Sequence, residues 1–133
     1  MIELRLRMMQ PRPRRLLSLV SATLLASCGD GPAGSGETPP PTANVNVANI
    51  LFQSARNGST DPAIDTVATG GTVTWTWTEA GTHTVRFDDA GFPESPAFSD
   101  DGSVFSTSFP DAGSYTYDCG VHGLGMTGTI VVK

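Results

Sequence analysis

The residues Ser114-Tyr-Thr-Tyr-Asp-Cys119 lead directly into the run Gly120-Val-His-Gly-Leu-Gly-Met126. In the first stretch, Tyr115, Tyr117 and Cys119 occupy every second position with polar residues between them, the pattern of a β-strand with one buried face. The second stretch contains three glycines, which permit a tight backbone turn. The sequence therefore predicts a strand that ends at Cys119, followed by a turn that brings an imidazole and a thioether back over that end.

Alternation of the same kind recurs through the chain beyond Cys28. Thr72–Thr78 places Val and Trp on one face and Thr on the other, Thr82–Phe87 also alternates, and Gly128–Lys133 is predicted to be a closing strand. Turns rich in Gly and Asp separate these strands, and no segment has a convincing helical period. Residues 88–101 are predicted to form a long irregular segment between strands. Short strands with regular turns predict an all-β fold, a sandwich or a barrel.

Residues that bind soft metals are rare in this chain, and those beyond Cys28 lie in one constellation. His83 and His122 are its two histidines, and Met126 is its only methionine beyond the first fifteen residues. His83 begins a predicted strand on the inward face and Cys119 ends another, so two neighbouring strands would bring them to the same end of the sandwich. Two imidazoles, a thiolate and a weak axial thioether are the ligand set of a blue-copper site. A lone buried Cys or a lone His on a strand is more often structural, but the coincidence of all these residues favours a metal site.

The chain contains four further motifs, which are Asp61-Pro-Ala-Ile64, Gly71-Thr-Val-Thr-Trp75, Gly81-Thr-His-Thr-Val85 and Phe109-Pro-Asp-Ala-Gly-Ser-Tyr-Thr-Tyr-Asp-Cys119. Together with the turn that follows, they resemble the cupredoxin family, and most closely its plastocyanin, pseudoazurin and halocyanin branch. The resemblance implies an eight-stranded Greek-key β-sandwich that holds one type 1 copper ion. It also implies that the copper ligands are His83, Cys119, His122 and Met126.

Two more residues acquire roles by the same resemblance. Tyr115 would form the tyrosine corner of the family, and Thr84, directly after the first His ligand, would form a hydrogen bond near the Cys loop. Such contacts orient metal ligands. One departure concerns the loop itself, since the branch commonly has the spacing C-x2-H-x4-M and this chain has C-x2-H-x3-M. Amicyanin-like members have still shorter loops and keep the site.

The N-terminal region is predicted to be a lipoprotein signal peptide over residues 1–27. Five arginines precede the apolar run Leu16–Ser27, which is too short to span a bilayer as a helix. The run ends in Leu25-Ala-Ser-Cys28, which resembles a bacterial lipobox, so Cys28 is expected to be lipidated. The alternatives are an ordinary signal peptide with a chance Cys, or a membrane helix. A Gly/Pro-rich tether over residues 28–43 and a single copper domain over residues 44–133 would follow.

Removal of the predicted signal peptide changes the charge of the chain. The remainder has three cations, Arg56, Arg86 and Lys133, against twelve carboxylates, a net charge of −9. Such a balance argues against nucleic-acid binding, and any membrane attachment would have to come from the lipid. Cys119 is then expected to be a metal ligand, with a disulfide to Cys28 as the alternative in an oxidising compartment. The acidic residues in 88–101 form either a solvated loop or a docking surface.

The function implied by the resemblance is that of a membrane-tethered electron carrier outside the cytoplasm. Its expected partner is a redox protein with a basic face, for instance a cytochrome c. A periplasmic copper-holding or copper-delivery protein would use the same ligands and is the main alternative. An enzyme such as a copper oxidase or nitrite reductase is disfavoured, because both histidines are already assigned. A cupredoxin-like domain without metal is disfavoured by the complete ligand set.

Overall fold

A computed structural model describes residues 37–133, which form two four-stranded β-sheets packed face to face. The strands are β1 (Thr42–Ala48), β2 (Leu51–Ser54), β3 (Ala63–Val67), β4 (Gly71–Trp77), β5 (Arg86–Phe87), β6 (Val104–Phe109), β7 (Gly113–Cys119) and β8 (Gly123–Val132). One sheet has the order β2-β1-β4-β6 and the other β3-β8-β7-β5. Between residues 37 and 133 there is no helix that is long and apolar enough to cross a membrane. The prediction of an all-β sandwich is confirmed.

The first sheet is built around β4, which pairs in parallel with β1 and antiparallel with β6. Buried and partly buried residues alternate along β4 as predicted. Val73, Trp75 and Trp77 are completely buried, and the threonines between them are only partly buried. On the outer face Thr72 and Thr74 share hydrogen bonds of 2.9 Å with the serines opposite them on β6. The period of two thus separates a core face from a polar face, as in other half-buried sheets.

The second sheet positions the residues of the predicted turn. β7 pairs antiparallel with β5 on one side and with β8 on the other. The β7–β8 pairing is regular as far as Asp118 and then shifts, so that Cys119 lies opposite Gly123. The His122 amide donates to the Cys119 carbonyl at 3.1 Å. This bond closes a turn at the end of β7, where the sequence predicts a turn.

Aromatic side chains fill the space between the sheets. Trp75 from the first sheet packs edge-to-face on Tyr117 and Phe87 from the second, with ring centroids 5.3 and 5.7 Å apart. Phe52 completes the group by packing edge-to-face on Tyr117 at 4.9 Å. Edge-to-face pairs contribute about 0.5–1.5 kcal/mol each beyond the area that they bury. Because Tyr117 is two residues before Cys119, this packing fixes the strand that carries the thiol.

Three boundaries differ from the sequence prediction. Strand geometry within Thr82–Phe87 is confined to β5, because the preceding residues bond to the irregular segment 88–101 instead of to a continuous strand. β8 begins at Gly123, ahead of the predicted start at Gly128, since the turn is tight enough for pairing to resume at once. Ordered pairing also begins at Thr42, slightly before the predicted domain start at residue 44. The predicted signal peptide over residues 1–27 and Cys28 lie outside the described residues.

Candidate metal centre

The thiol of Cys119 lies at the centre of the predicted ligand group. Cys119 ends β7, is completely buried, and is a free cysteine within the part of the chain that the structure covers. Its Sγ is 3.8 Å from His83 Nδ1 and 3.4 Å from His122 Nδ1. One donor atom from each of the three residues lies within 4.8 Å of the other two. The fold therefore brings together residues that are 36 positions apart in sequence.

The side chain of His83 is buried, and its backbone is held by two hydrogen bonds to one residue of the irregular segment. Its amide donates to the Phe98 carbonyl at 3.0 Å, and its carbonyl accepts from the Phe98 amide at 3.1 Å. A Cβ at Gly81 would lie 3.0 Å from His83 Nε2, so glycine leaves the room that this ring needs. Burial lowers the pKa of His83, and the nearby His122 lowers it further. The side chain is therefore neutral at physiological pH, which is the form that binds metals.

His122 connects this buried group to the surface. Its Nδ1 is directed at the thiol, while the residue as a whole is exposed. The opposite edge of its ring therefore faces solvent. Two apolar residues of the same loop, Val121 and Leu124, are 51 % and 89 % exposed. The second imidazole thus lies in a small apolar surface at the end of the sandwich.

Met126 occupies the remaining predicted ligand position. It lies near the start of β8 and is completely buried. It belongs to the same core cluster as Cys119. The shortened loop therefore still turns the thioether inward, toward the interior of the sandwich.

Thr84 forms the contacts that the resemblance implies for it. Its backbone amide donates to Cys119 Sγ at 3.5 Å, and its hydroxyl accepts from the Gly120 amide at 2.8 Å. Contacts of this kind fix the orientation of a metal-binding side chain. Thr84 is buried, so its bond to the sulfur is shielded from water, and its bond to Gly120 is partly shielded.

Tyr115 lies away from the donor atoms and has a structural role. Its hydroxyl donates to the Asp111 carbonyl at 2.9 Å, four residues earlier in the chain. This is the contact of a tyrosine corner. Its ring packs on Phe109 and Phe92, with centroids 5.1 and 5.0 Å apart. Tyr115 therefore fixes the start of the strand that ends at Cys119.

Sequence reasoning missed two contacts beside the site. The Ser95 hydroxyl accepts from the Val85 amide at 2.8 Å, and so ties the irregular segment to the strand after His83. Arg86 forms a bidentate ion pair with Asp118, the residue before Cys119. Segment 88–101 has no periodic pattern that would mark Ser95. The pairing of Arg86 with Asp118 depends on the register of β5 with β7, which the sequence does not specify.

The donor set suits copper in particular. One thiolate, two imidazoles and a buried thioether are soft or borderline ligands, and three of them come from a single loop. Zinc and iron–sulfur sites typically use more thiolates, and calcium or magnesium sites use oxygen ligands. The residues present therefore fit a type 1 copper ion.

Comparison of the sequence with known families leads to the same metal. The family described as "Copper binding proteins, plastocyanin/azurin family" matches residues 59–133. The chain is 32 % identical over 102 residues to chloroplastic plastocyanin from Tetradesmus obliquus, covering 68 % of this chain and 70 % of that protein. It is 38 % identical over 89 residues to halocyanin from Natronomonas pharaonis, covering 63 % of this chain and 55 % of that protein.

Solved structures support the same relationship. The reduced Cu(I) form of an amicyanin variant has a TM-score of 0.55 and 27 % identity, over 73 % of this chain and 87 % of that one. A purple cupredoxin from Nitrosopumilus maritimus has a TM-score of 0.55 and 24 % identity, over 68 % of this chain and 99 % of that one. At this identity the purple cupredoxin supports the fold only, and its fold is similar to that of the present chain.

Proposed function

Because the chain belongs to the plastocyanin/azurin family of copper-binding proteins, we propose that it is a one-electron carrier with a type 1 copper site. When bound, copper supplies a one-electron Cu(I)/Cu(II) couple. The observation that carries the proposal is the convergence of donor atoms from His83, Cys119 and His122 within 4.8 Å of one another. Met126, buried in the same core cluster, would supply the thioether ligand.

The protein contributes a fixed arrangement of donors. Phe98 holds the backbone of His83 by two hydrogen bonds, and Thr84 bonds both the thiol and the loop that follows it. Cys119 and Met126 are completely buried, so these two residues would hold a metal on a side that water does not reach. A ligand set that cannot rearrange freely changes little between oxidation states, which favours rapid electron transfer.

The exposed edge of His122 is the proposed route for the electron. It is the one member of the three-residue donor group that reaches the surface. Val121 and Leu124, exposed residues of the same loop, would give this surface an apolar rim. Such a rim allows a partner to approach closely without leaving a buried charge unpaired.

An electron carrier accounts for the ligand inventory better than an enzyme does. Both histidines of the chain belong to the one centre. No imidazole remains for a separate catalytic copper of the kind that oxidases and nitrite reductases need. The protein is therefore proposed to pass electrons to or from another protein and to have no substrate of its own.

Attachment to a membrane is proposed from the sequence before the domain. Leu25-Ala-Ser-Cys28 resembles a lipobox, and two or three acyl chains on Cys28 would give stable anchoring. The copper domain would then lie in the bacterial cell envelope at the end of a Gly/Pro-rich tether. Mass spectrometry of the mature N-terminus should find an acylated Cys28. An unmodified N-terminus at a different residue would contradict the anchor.

A redox protein with a basic face, such as a cytochrome c, is the proposed partner. The chain after Ser27 has a net charge of −9. Five acidic residues of the irregular segment are exposed, and they are Asp88, Asp89, Glu94, Asp100 and Asp101. A negative field of this kind accelerates the encounter with a basic partner.

Protein-film voltammetry of the copper-loaded chain separates electron transfer from copper holding. A reversible one-electron couple that survives repeated cycling, without release of copper to a Cu(I) chelator, is expected. Loss of copper on reduction, or no reversible couple, would contradict the carrier and favour copper delivery.

A further inference from the structure

An ion pair lies beside the metal centre and has no part in the function described above. Arg86 Nε donates to Asp118 Oδ1 at 2.9 Å, and Arg86 Nη2 donates to Asp118 Oδ2 at 2.8 Å. Two parallel bonds of this kind form a planar fork, which fixes orientation as well as distance. The two residues lie directly opposite each other in the β5–β7 pairing. Their side chains therefore reinforce a register that the backbone already sets.

The fork is placed where backbone pairing is weakest. β5 has only two residues, and Arg86 and Phe87 are its entire contribution to the pairing with β7. On the other side of β7, the regular pairing with β8 is interrupted between Asp118 and Cys119. The ion pair thus adds a side-chain link to the two-residue pairing of β5 with β7, at the residue directly before Cys119.

The charge of Asp118 is the second consequence of this placement. Its side chain is 12 % exposed, whereas that of Arg86 is 48 % exposed. A partly buried carboxylate next to the copper-binding thiolate would favour the more positive oxidation state, Cu(II), and so lower the reduction potential. The guanidinium at 2.8 Å offsets that charge. The hydrogen bond and charge of Asp118 also raise the pKa of Arg86, which keeps it protonated.

Arg86 also approaches the loop that carries His122. A Cβ at Gly120 would lie 2.7 Å from both Thr84 Oγ1 and Glu94 Oε1, and 3.8 Å from Arg86 Nη1. The residue after the Cys ligand is therefore packed closely against these three side chains. A displacement of the guanidinium would change the support of the loop and of the strand together.

We propose that Arg86 is a positioning residue of the copper centre. Through its fork to Asp118 it holds the Cys119 thiolate against the segment that carries His83, and it offsets the Asp118 charge so that the reduction potential stays higher than the carboxylate alone would permit. The inference rests on the proposed function, because it concerns the same copper couple.

The test measures the reduction potential and the Cu(II) electron paramagnetic resonance spectrum of the copper-loaded full chain. Arg86→Gln is expected to lower the potential, and Asp118→Asn to raise it. The double variant should return close to the wild-type potential, since it removes both charges. Arg86→Lys should keep the potential near wild type but change the copper hyperfine splitting, because an ammonium cannot form the fork. Arg56→Gln, which removes an exposed cation bonded to the Thr42 carbonyl, is the matched control and should change neither quantity.

The proposal is overturned if Arg86→Gln and Asp118→Asn match the Arg56→Gln control, or if both shift the potential in the same direction. If Arg86→Gln does not fold, Asp118→Asn and Arg86→Lys decide the question by the same criteria. If the wild type has a reversible couple and the variants keep its reduction potential, this inference is wrong and the carrier function stands. If the wild type has no reversible couple, both the role of Arg86 and the carrier function are contradicted.

Discussion

The hydroxyl of Thr84 accepts a hydrogen bond from the Gly120 amide at 2.8 Å, while the Thr84 amide donates to Cys119 Sγ at 3.5 Å. Thr84 directly follows His83, and Gly120 directly follows Cys119. A single residue therefore joins the segment that carries the first imidazole to the loop that carries the thiol and the second imidazole. The geometry of the centre depends on this link as well as on the ligands.

Replacement of Thr84 by Val should weaken the link while keeping the shape of the side chain. The Gly120 amide loses its acceptor, and the loss of one such bond costs about 1 kcal/mol. We expect the apo chain to unfold at a lower urea concentration and the copper-loaded chain to release copper faster. Thr84→Ser, which keeps the hydroxyl, is the control and should behave nearly as wild type. Equal urea midpoints for Thr84→Val and Thr84→Ser would show that the bond contributes nothing.

Replacement of Met126 by Leu tests the axial position. Met126 is completely buried, and a swap of similar volume should cost less than about 1.5 kcal/mol of stability. Loss of the thioether should raise the reduction potential and leave the intense visible colour, because the axial bond is weak and mainly tunes the couple. Voltammetry and the optical spectrum check both. An unchanged potential would mean that the shorter loop keeps the sulfur out of reach of the metal.

Replacement of Asp65 by Asn should change how stability depends on pH. Asp65 is buried and accepts a hydrogen bond from the Ser54 hydroxyl at 2.8 Å, and among residues 37–133 its Oδ2 has no partner. Desolvation raises its pKa above the ordinary value of 3.8, although Ser54 and Arg56 oppose the shift. The folded state then binds the proton more tightly than the unfolded state. The stability that this group contributes is present at low pH and is lost as pH rises through the folded pKa.

Urea unfolding of the apo chain at a series of pH values above 3.8 checks this prediction. The wild-type free energy of unfolding should fall with rising pH more steeply than that of Asp65→Asn, which should be at least as stable as wild type at pH 7. Asp100→Asn, a change at an exposed carboxylate, is the control and should keep the wild-type slope. Parallel curves for wild type and Asp65→Asn would contradict the account of this group.

The acidic segment should accelerate electron exchange with a basic cytochrome c. The rate should fall as ionic strength rises, because exposed charges are screened beyond about 10 Å at 0.1 M salt. Changing Asp89, Asp100 and Asp101 to Asn should lower the low-salt rate and flatten its salt dependence. Asp88 is left unchanged, since its carboxylate accepts a hydrogen bond from the Thr116 hydroxyl on β7. The bond that Asp89 accepts from the Gly91 amide stays within the segment, and the amide oxygen of Asn can keep it.

Asp111→Asn supplies the matched control for the salt series. Asp111 precedes the start of β7, the end opposite to Cys119, so its charge should affect the rate much less. A rate that is flat with salt, or equal in both variants, would remove the acidic segment from partner recognition.

Much of the fold could be predicted because its strongest signals are local. Thr72–Thr78 has a strict period of two, and the structure buries Val73, Trp75 and Trp77 as that period requires. The rare ligand residues were equally informative. His83 and Cys119 were placed at one end of the sandwich by alternation and strand direction, and their donor atoms lie 3.8 Å apart.

Other features depend on contacts between distant segments and were not predicted. Residues 88–101 have no periodicity, yet Ser95 and Phe98 bond to the segment before β5 that carries His83. Asp65 is a charged residue of the type usually found at the surface, but its position in β3 directs its side chain into the core. The fork between Arg86 and Asp118 follows from strand register, which no single segment specifies.

The optical spectrum of the chain loaded with Cu(II), recorded for wild type and Cys119→Ser, tests the central claim most directly. Cys119 Sγ lies 3.4 and 3.8 Å from the two imidazole nitrogens, so copper bound there should show the intense visible band of thiolate charge transfer. Wild type should be strongly coloured, and Cys119→Ser should lose the band even where it retains copper. Stoichiometric Cu(II) binding by the wild type without that band would contradict the assignment of a type 1 copper centre.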